Sequence, residues 1–400
     1  MALLPVAEAR AMILAGAEPL PGEMVPLAEA DGRVLAEDLR ASRDQPPFAA
    51  SAMDGYAVRA ADIAALPASL RLIGKAPAGR RFRGTVGPGE AVRIFTGAPV
   101  PGGADTVVIQ ENAVEAGGLV TVTAATAPGR NVRDAGLDFR RGAVVLPAAG
   151  VLGPRAIGLA AALNLPMLPV RRRPVVAILA TGDELVAVGD RPRDDQIIAS
   201  NGHALASMVR QFGGMPVDLG IVGDEVTATE RAIAKAEGAD ILVTIGGASV
   251  GEHDLVRRAL EQRGIALAFW QIAMRPGKPL MFARAQGQSI VGLPGNPVSA
   301  LLCARIFLKP LIHRLLGLPA EERLAKARLA AALPANDQRQ DYVRATLERA
   351  PDGTMTAAAF TRQDSSMQAT LHQAQALIVR PPNAPAAAAG DIVDLMEIDF

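Results

Sequence analysis

The sequence predicts a multi-domain α/β protein built around a central domain with a parallel sheet. The chain has 400 residues, which is too long for one ordinary core and implies about two to four domains. Strand-like and helical segments alternate over residues 173–316, as expected for a parallel sheet with helices on both faces. Short strand-like runs separated by Gly and Pro occur on both sides of this region, which predicts additional β-rich parts.

Composition narrows the classes of function. Half of the residues are hydrophobic and 20% are charged, which is typical of globular proteins. The 41 basic and 41 acidic residues exclude a global basic field for nucleic acid, although a local basic pocket remains compatible. No uncharged apolar run reaches the roughly 18 residues of a membrane span. The single cysteine, Cys303, excludes an intramolecular disulfide and fits a reducing cytoplasm.

The N-terminal part predicts a helix, followed by a β-rich insertion. Apolar residues recur at helical spacing over residues 3–13, and Glu8 and Arg10 argue against a signal peptide, so this is a helix of the mature chain. Residues 44–136 contain the strand-like runs AVRIFTGA, ADTVVIQE and GLVTVTA, whereas GPRAIGLAAAL returns to a helical pattern. We therefore predict an N-terminal region, formed by residues 1–43 and 137–172, that carries an inserted β-rich lobe.

The remaining elements follow in order. PVVAILA, MPVDLGIV, ADILVTIGG and IALAFWQIA predict the strands of the central domain, and PVSALLCARIFLKPLIHRLLG predicts one long last helix that begins at a proline. NGHALASMVRQF, EVTATERAIAKAE and HDLVRRALEQRG predict the intervening helices, the second of them capped by Asp224 or Thr227. Short runs such as DYVRATLERA and DIVDLMEIDF predict a small β domain over residues 325–400.

Acidic residues follow several predicted strands of the central domain. In parallel α/β sheets ligands bind beyond the carboxyl ends of the strands, so these side chains are candidate ligands. Glu184, Asp224 and Asp254 could converge on Mg²⁺, which usually takes one or two protein carboxylates together with waters and substrate phosphates. Alternatively, Asp224 and Asp254 cap the helices that follow them.

A glycine-rich loop at these strand ends suits an anion. The GGASVG loop, with Gly246, Gly247, Ser249 and Gly251, could offer backbone N–H groups to a phosphate, or it could be a tight turn that needs positive φ. The absence of G-x-x-x-x-G-K-[ST] and G-x-G-x-x-G motifs argues against the P-loop and standard dinucleotide sites.

A proline-stiffened loop follows the fourth predicted strand. Its two cations, Arg275 and Lys278, suit an oxyanion, although a solvated surface loop is the alternative. Cys303 lies in an apolar helix and is predicted to be a buried, inert thiol. The segment PPFAASAMDGYAV, around Asp54, predicts only an ordered loop on physical grounds alone.

Seven motifs in order carry a resemblance to a known family. PxFxxSAMDGYAV, RIFTGAPVPGGADTVVIQE, NVRDAGLDFRRG, ILATGDEL, LVTIGGASVGEHD, MRPGKP and GLPGNPVSA resemble those of the MoeA family and of the related domain of gephyrin. The resemblance implies a central MogA-like domain that binds molybdopterin. It also implies the reaction of a molybdopterin molybdenumtransferase, in which molybdenum from molybdate enters adenylylated molybdopterin with Mg²⁺ assistance and AMP is released.

The resemblance also implies site residues and an assembly. It implies a cytoplasmic homodimer whose active cleft lies between the central domain of one subunit and the N-terminal region of the other. Arg339 and Ser365 match positions associated with molybdate binding, through RQDYVR and RQDSSM, and Ser299 lies near the conspicuous lysine. The positions matched to catalytic or metal-binding roles are Asp54, Thr96, Asp138, Glu184, Asp224, Asp254 and Lys278.

This sequence departs from the family pattern at a few positions, and two other functions remain open. Arg275 replaces the first lysine of KPGKP, GGASVG replaces GGVSVG, and DSSM replaces a loop that often has glycine. The adenylyltransferase of the preceding step shares the central domain, and a scaffold without catalysis is the second alternative. Molybdopterin adenylyltransferase and proteins of molybdoenzyme maturation are the expected partner proteins.

Overall fold

The computed structural model describes residues 3–247 and 255–400. Its first helix packs against the last helix of the central domain. The helix is α1 (Val6–Leu14), and Val6, Ala9 and Ile13 form its buried face at helical spacing. These residues belong to the same hydrophobic cluster as the last helix of the central domain. Thus α1 completes the core of the central domain, although the sequence grouped it with the N-terminal region.

The next segment contains less strand than its sequence predicts. VPLAEADGRVLAEDLR is interrupted by a 3-10 turn at Leu27–Glu29 and then makes only isolated bridges before a short strand. The strand-like pattern of this stretch therefore forms regular strand over only a small part of its length. The strands here are β1 (Gly22–Pro26) and β2 (Leu39–Arg40).

The inserted lobe is a β structure. Its six-stranded sheet is antiparallel apart from one parallel pair, and apolar side chains are buried on both of its faces. The three predicted runs contain three of its strands. The strands of the lobe are β3 (Ala50–Ser51), β4 (Gly55–Val58), β5 (Ala68–Ala76), β6 (Glu90–Ile94), β7 (Thr106–Ile109), β8 (Ala113–Ala116), β9 (Leu119–Val122) and β10 (Val132–Arg133), with 3-10 turns at Ala60–Ile63 and Gln110–Asn112.

Antiparallel pairs close the N-terminal region beneath the lobe. The chain returns through β11 (Val144–Leu146), α2 (Pro154–Ala162) and β12 (Met167–Arg171). Strand β11 pairs with β2, and β12 pairs with β1 over its whole length. These pairs hold together the two points at which the chain enters and leaves the lobe, which is the arrangement expected of an insertion.

The central domain has a six-stranded sheet in the order β16-β13-β17-β21-β20-β18, with helices on both faces. Its elements are β13 (Val175–Thr181), β14 (Leu185–Val186), β15 (Ile197–Ile198), α3 (Asn201–Gln211), β16 (Met215–Val222), α4 (Val226–Ala234), β17 (Ile241–Ile245), α5 (Leu255–Gln262), β18 (Leu267–Phe269), β19 (Met274–Arg275), β20 (Met281–Ala285), β21 (Gln288–Leu293), α6 (Pro297–Cys303) and α7 (Lys309–Leu315).

This sheet is mixed. Strands β16, β13 and β17 pair in parallel as predicted. Strand β21, which was not predicted, pairs in parallel with β17, and β20 is antiparallel to both of its neighbours. Gln286 and Gly287, with φ of 49° and 84°, form the two-residue connection of the β20–β21 hairpin. Such a hairpin turn needs positive φ at both residues. The Gln-Gly pair in MFARAQGQSIVGL is the signal for this hairpin, and the sequence analysis missed it.

The predicted long last helix is divided into two. A π turn at Ala304–Leu308 separates α6 from α7. Pro310 lies in the first turn of α7 and has no N–H to donate to the preceding turn. The π turn widens the helix where this hydrogen bond is missing.

The C-terminal domain is a small, barrel-like β structure. Its sheet has the order β19-β23-β24-β22-β26-β25, and a further pairing of β23 with β25 closes it. Strand β19 comes from the central domain. Among the described residues, no helix combines the length and apolarity needed to cross a membrane. The elements are β22 (Ala325–Leu329), β23 (Gln340–Arg349), β24 (Met355–Ala359), α8 (Gln368–Gln373), β25 (Ala376–Arg380) and β26 (Ile392–Glu397).

Candidate active site

A cavity of about 560 Å³ lies at the carboxyl ends of the parallel strands. Thr181 at the end of β13 and Ile245 at the end of β17 form its floor, and Glu184 and Asn201 are among its walls. The volume is within the range of sites for small molecules and cofactors. The position is the one at which open α/β sheets bind ligands, so the cavity is the candidate substrate site.

The glycines after β17 form one edge of this cavity. Gly246 and Gly247 have φ of 85° and 64°. A Cβ at Gly247 would lie 2.6 Å from a side-chain methyl of Val256, and one at Gly246 would lie 2.7 Å from the Thr181 carbonyl oxygen. Only glycine fits both positions, which supports the tight-turn interpretation. Ser249 and Gly251 lie outside the described residues, so the phosphate-binding interpretation stays a prediction.

The predicted acidic cluster is only partly described. Glu184 is exposed and lines the cavity, whereas Asp224 follows β16, is exposed and does not line it. Asp254 lies outside the described residues. Over 3–247 and 255–400, no group of three or more His, Cys, Asp or Glu side chains is arranged to hold a metal ion. The structure therefore brings one of the three predicted carboxylates to the described cavity wall.

The turn after β13 contains an acid, Asp183, that was not among the predicted site residues. The backbone N–H of Asp224 donates to Asp183 Oδ1 at 2.9 Å, so Asp183 fixes the turn that carries Asp224. Glu225 is the N-cap of α4 and makes no side-chain capping bond. The prediction that Asp224 or Thr227 caps this helix was therefore wrong.

Arg275 connects the central and C-terminal domains. Its Nε donates to Asp341 Oδ1 at 2.8 Å and its Nη2 donates to Asp341 Oδ2, so the pair is bidentate. Nη2 also lies 3.3 Å from Asn336 Oδ1. Asp341 raises the pKa of Arg275, chiefly through these hydrogen bonds. The guanidinium was predicted to hold an oxyanion beside Lys278, but the structure commits it to a carboxylate of the C-terminal domain.

Lys278 is the cation of this loop that remains available. Its side chain is half-buried and makes no hydrogen bond or ion pair with any residue in the described ranges. Cys303 packs below the loop, and a Cβ at Gly277 would lie 2.6 Å from its Sγ. Cys303 is fully buried, which raises the pKa of its thiol and confirms the prediction of an inert residue.

A loop of the C-terminal domain covers the start of α6 at the edge of the cavity. Asn296 Nδ2 donates to Ser365 Oγ at 2.9 Å, and Val298 N–H donates to the Ser365 carbonyl oxygen at 3.0 Å. The structure thus places Ser365 beside the cavity. Ser299 lies one residue further along α6 and is buried in the described fold.

Arg339 and Arg344 of the C-terminal domain differ in burial and in the groups that they contact. Arg339, predicted to bind molybdate, pairs locally with Asp337 and holds the pKa of that carboxyl at about 2. Arg344 is fully buried and holds the loop of Ser365: it donates to the carbonyl oxygen of Asp364 at 2.9 Å and to that of Met367 at 3.2 Å.

Arg344 was not among the site residues predicted from the sequence. An available signal was its position in DYVRATL, two residues after the buried Tyr342 and therefore on the same face of β23. An arginine on an inward face needs partners for its donors, and the loop of Ser365 supplies them. Arg344 is thus the arginine that determines where Ser365 lies.

The candidate residues of the N-terminal half lie away from the cavity. Thr96 donates to Asp54 Oδ1 through its backbone N–H and its hydroxyl, each at 2.8 Å. These bonds are the main reason that the pKa of Asp54 is lowered. Asp138 is exposed. None of the three lines the cavity of the same chain, so the structure joins Asp54 to Thr96 but not to Glu184.

Known proteins resemble this chain over nearly its whole length. Family models of the MoeA N-terminal region (domain I and II), a probable molybdopterin binding domain and the MoeA C-terminal region (domain IV) match residues 4–164, 177–314 and 326–398. The chain is 40% identical to a molybdopterin molybdenumtransferase of Nostoc sp., covering 80% of this chain and 76% of that protein. The corresponding Bacillus subtilis protein is 34% identical, with 90% and 86% covered.

Solved structures agree with these relatives. The molybdopterin biosynthesis MoeA protein of Pyrococcus horikoshii superimposes with a TM-score of 0.88 at 29% identity, and 99% of each chain is covered. The fold and the family matches therefore define a multi-domain protein whose α/β domain matches the model of a probable molybdopterin binding domain. The chain belongs to the MoeA family, which confirms the fold class and the family predicted from its motifs.

Proposed function

We propose that the chain is a molybdopterin molybdenumtransferase, which inserts molybdenum from molybdate into adenylylated molybdopterin and releases AMP. The observation that carries the proposal is identity of 34–40% with enzymes of that name over most of the chain. The cavity at the carboxyl ends of the central sheet is large enough for part of such a substrate. The pterin dithiolene supplies the sulfur ligands, so the reaction needs no protein thiol, in keeping with the buried Cys303.

Lys278 is the proposed molybdate ligand. It is half-buried and unpaired among the described residues, so its ammonium can neutralise an oxyanion without breaking an existing ion pair. Arg275 beside it is engaged with Asp341 and contributes by fixing the loop. Ser365 lies against the start of α6 in a loop that Arg344 holds, and it is the proposed hydroxyl donor to the same oxyanion. Binding molybdate next to the dithiolene makes insertion a matter of proximity.

The donor chemistry of the cavity fits Mg²⁺. Glu184 presents an exposed carboxylate at the wall, and Mg²⁺ sites often use one or two protein carboxylates with the remaining ligands from water and phosphate. Glu184 would hold the ion, and Asp224 and Asp254 are the other proposed ligands. When bound, the ion supplies charge neutralisation at the phosphoanhydride of the substrate.

A homodimer would complete this site. Asp54, Thr96 and Asp138 do not line the cavity of their own chain, so we propose that they act at the cavity of a second copy. Exposed apolar side chains support a contact there: Ile197 at the cavity wall is 58% exposed, and Val188 nearby in sequence is 60% exposed. The cytoplasmic location and the expected partner proteins, molybdopterin adenylyltransferase and proteins of molybdoenzyme maturation, stay predictions.

The test is a complete reaction with the purified protein. It is incubated with adenylylated molybdopterin, Mg²⁺ and molybdate, and both AMP release and reconstitution of an apo-molybdoenzyme are measured. We expect AMP release coupled to reconstitution, and loss of reconstitution without molybdate. Consumption of ATP with molybdopterin alone would instead identify an adenylyltransferase. Neither product, from a folded protein that binds the pterin, would identify a scaffold.

A further inference from the structure

Arg93 lies at the centre of an aromatic cluster on the lobe. It is in β6, and its guanidinium carbon is 4.9 Å from the ring centroid of Tyr56 and 5.1 Å from that of Phe95. An arginine within about 6 Å of a ring is attracted by the ring quadrupole. The guanidinium therefore connects two aromatic side chains from different parts of the lobe, one on β4 and one just beyond β6.

The hydrogen bonds of Arg93 reach a third segment. Nη2 donates to Gln110 Oε1 at 2.6 Å, and Nη1 lies 3.4 Å from the carbonyl oxygen of Gly55. The backbone N–H of Gln110 in turn donates to the carbonyl oxygen of Asp54 at 3.1 Å. Arg93 thus contacts residues directly adjacent to Asp54, and through Gln110 it connects to the backbone of Asp54 itself.

The same contacts fix Thr96. Phe95, which stacks on Arg93, immediately precedes Thr96, the residue that donates two hydrogen bonds to Asp54. Loss of the guanidinium would free the chain on both sides of the Asp54–Thr96 pair. Asp54 lies in the bend before β4, and Thr96 lies in the turn after β6.

The charge of Arg93 acts on the same pair. After the hydrogen bonds of Thr96, the positive charge of Arg93 contributes to the lowered pKa of Asp54. The nearest acids on the surrounding elements are engaged elsewhere: Glu115 accepts from the Tyr56 hydroxyl at 2.9 Å, and Glu111 accepts from Gln110 at 3.3 Å. In the described part of the chain no carboxylate pairs with Arg93.

We propose that Arg93 is a positioning residue for the molybdenum-insertion reaction, which holds Asp54 and Thr96 in one geometry and keeps the potential around them positive. The inference rests on the proposed function, because it assumes that Asp54 takes part in that reaction. Sequence motifs selected Asp54 and Thr96 but gave Arg93 no role. The network of contacts assigns it one.

The test compares Arg93→Met and Arg93→Lys with a matched control. Arg71→Met is the control, since Arg71 lies on β5 of the same sheet and pairs with Glu90. We expect Arg93→Met to lower kcat about tenfold to a hundredfold, with KM for adenylylated molybdopterin nearly unchanged, because small displacements of reacting groups have effects of this size. Arg71→Met should leave kcat at the wild-type value.

The pH dependence of kcat distinguishes the effect of the Arg93 charge from the effect of its planar shape. Removing the cation raises the pKa of Asp54, so the acid limb of kcat in Arg93→Met should move to higher pH. Arg93→Lys keeps the charge but loses the planar stacking surface, so it should lower kcat while leaving the acid limb in place. If Arg93 only stabilised the fold, its substitution would lower the melting temperature without moving the acid limb of kcat.

The outcomes distinguish a failure of the positioning role of Arg93 from a failure of the proposed function. Wild-type kcat and an unshifted acid limb in Arg93→Met would overturn the inference. If Arg93→Met failed to fold, wild-type kcat in Arg93→Lys would overturn it instead. Full activity of Asp54→Asn would instead contradict the role of Asp54 in the proposed function. An inactive Asp54→Asn together with a fully active Arg93→Met would remove only the positioning role.

Discussion

The lobe and the central domain hold their carboxylates in different ways. Asp54 in the lobe accepts two hydrogen bonds from Thr96 within its own chain. The side chains of Glu184 and Asp224 in the central domain accept none from the residues described over 3–247 and 255–400. A carboxylate that is already hydrogen-bonded keeps one geometry and stays ionised, whereas one without partners can bind a cation that arrives with the substrate. In the proposed reaction, the lobe would therefore contribute orientation and the central domain would contribute cation binding.

Removing Lys278, which has no partner among the described residues, should have the largest effect. Lys278→Met should lower the rate of reconstitution about a thousandfold, because one preorganised donor to an anion can contribute that much. The free energy of unfolding should change by less than about 1 kcal/mol, since no partner is lost. Lys75→Met, at an exposed position on β5, is the control. A Lys278 variant with normal molybdate saturation would contradict the proposed oxyanion site.

Exchanging a carboxylate in each region should distinguish cation binding from orientation. Glu184→Gln should lower activity about a hundredfold at limiting Mg²⁺ and raise the Mg²⁺ concentration that gives half-maximal AMP release. Asp54→Asn should lower kcat without changing this Mg²⁺ dependence. AMP release titrated with Mg²⁺ measures both variants. The same Mg²⁺ response in the two variants would remove the distinction between the regions.

The buried arginine of the C-terminal domain predicts a change in stability. Arg344→Met should lower the free energy of unfolding by about 3 kcal/mol, because the carbonyl oxygens of Asp364 and Met367 lose their donors. It should also raise KM for molybdate, because Ser365 loses its support. Arg339→Met, which breaks only a partly exposed pair, should cost about 1 kcal/mol or less. Thermal unfolding of the two variants checks this order, and equal losses would contradict it.

The smallest expected effect concerns the lobe carboxylate. Thr96→Val removes the hydroxyl bond to Asp54 but keeps the larger contribution of the backbone N–H. Since the folded-state pKa of Asp54 is lowered, its ionised form is favoured at neutral pH and is lost as the pH falls through that pKa. The acid limb of kcat should therefore move slightly to higher pH in the variant. Thr121→Val, which breaks a surface contact with Ser69, should leave it unchanged.

Much of the fold was predictable from periodicity because the central strands and helices are long and regular. The β20–β21 hairpin was missed because a two-residue Gln-Gly turn is a weak signal inside an apolar run. The division of the last helix depends on one proline, Pro310, within a strongly helical pattern. The packing of α1 on the central domain depends on contacts distant in sequence, which no local pattern contains.

The site was predictable to a different extent. The position of Glu184 and of the glycine turn followed from the ends of strands. The partner of Arg275, Asp341, is 66 residues away in sequence, so charge and spacing in the loop could not reveal that its guanidinium was already engaged. Arg344, and not Arg339, contacts the loop of Ser365, because Arg339 precedes β23 and pairs with Asp337, whereas Arg344 lies buried within β23. The remaining assignments of site residues stay predictions.

Strand β19 links the central domain to the sheet of the C-terminal domain. Met274 and Arg275 belong to the central domain in sequence, yet they pair with the first residues of β23 in the C-terminal sheet. Lys278 follows only three residues later on the same loop. A rotation of the small barrel would therefore pull directly on the segment that leads to the lysine. The position of Lys278, the proposed molybdate ligand, is therefore coupled through β19 to the orientation of the C-terminal domain.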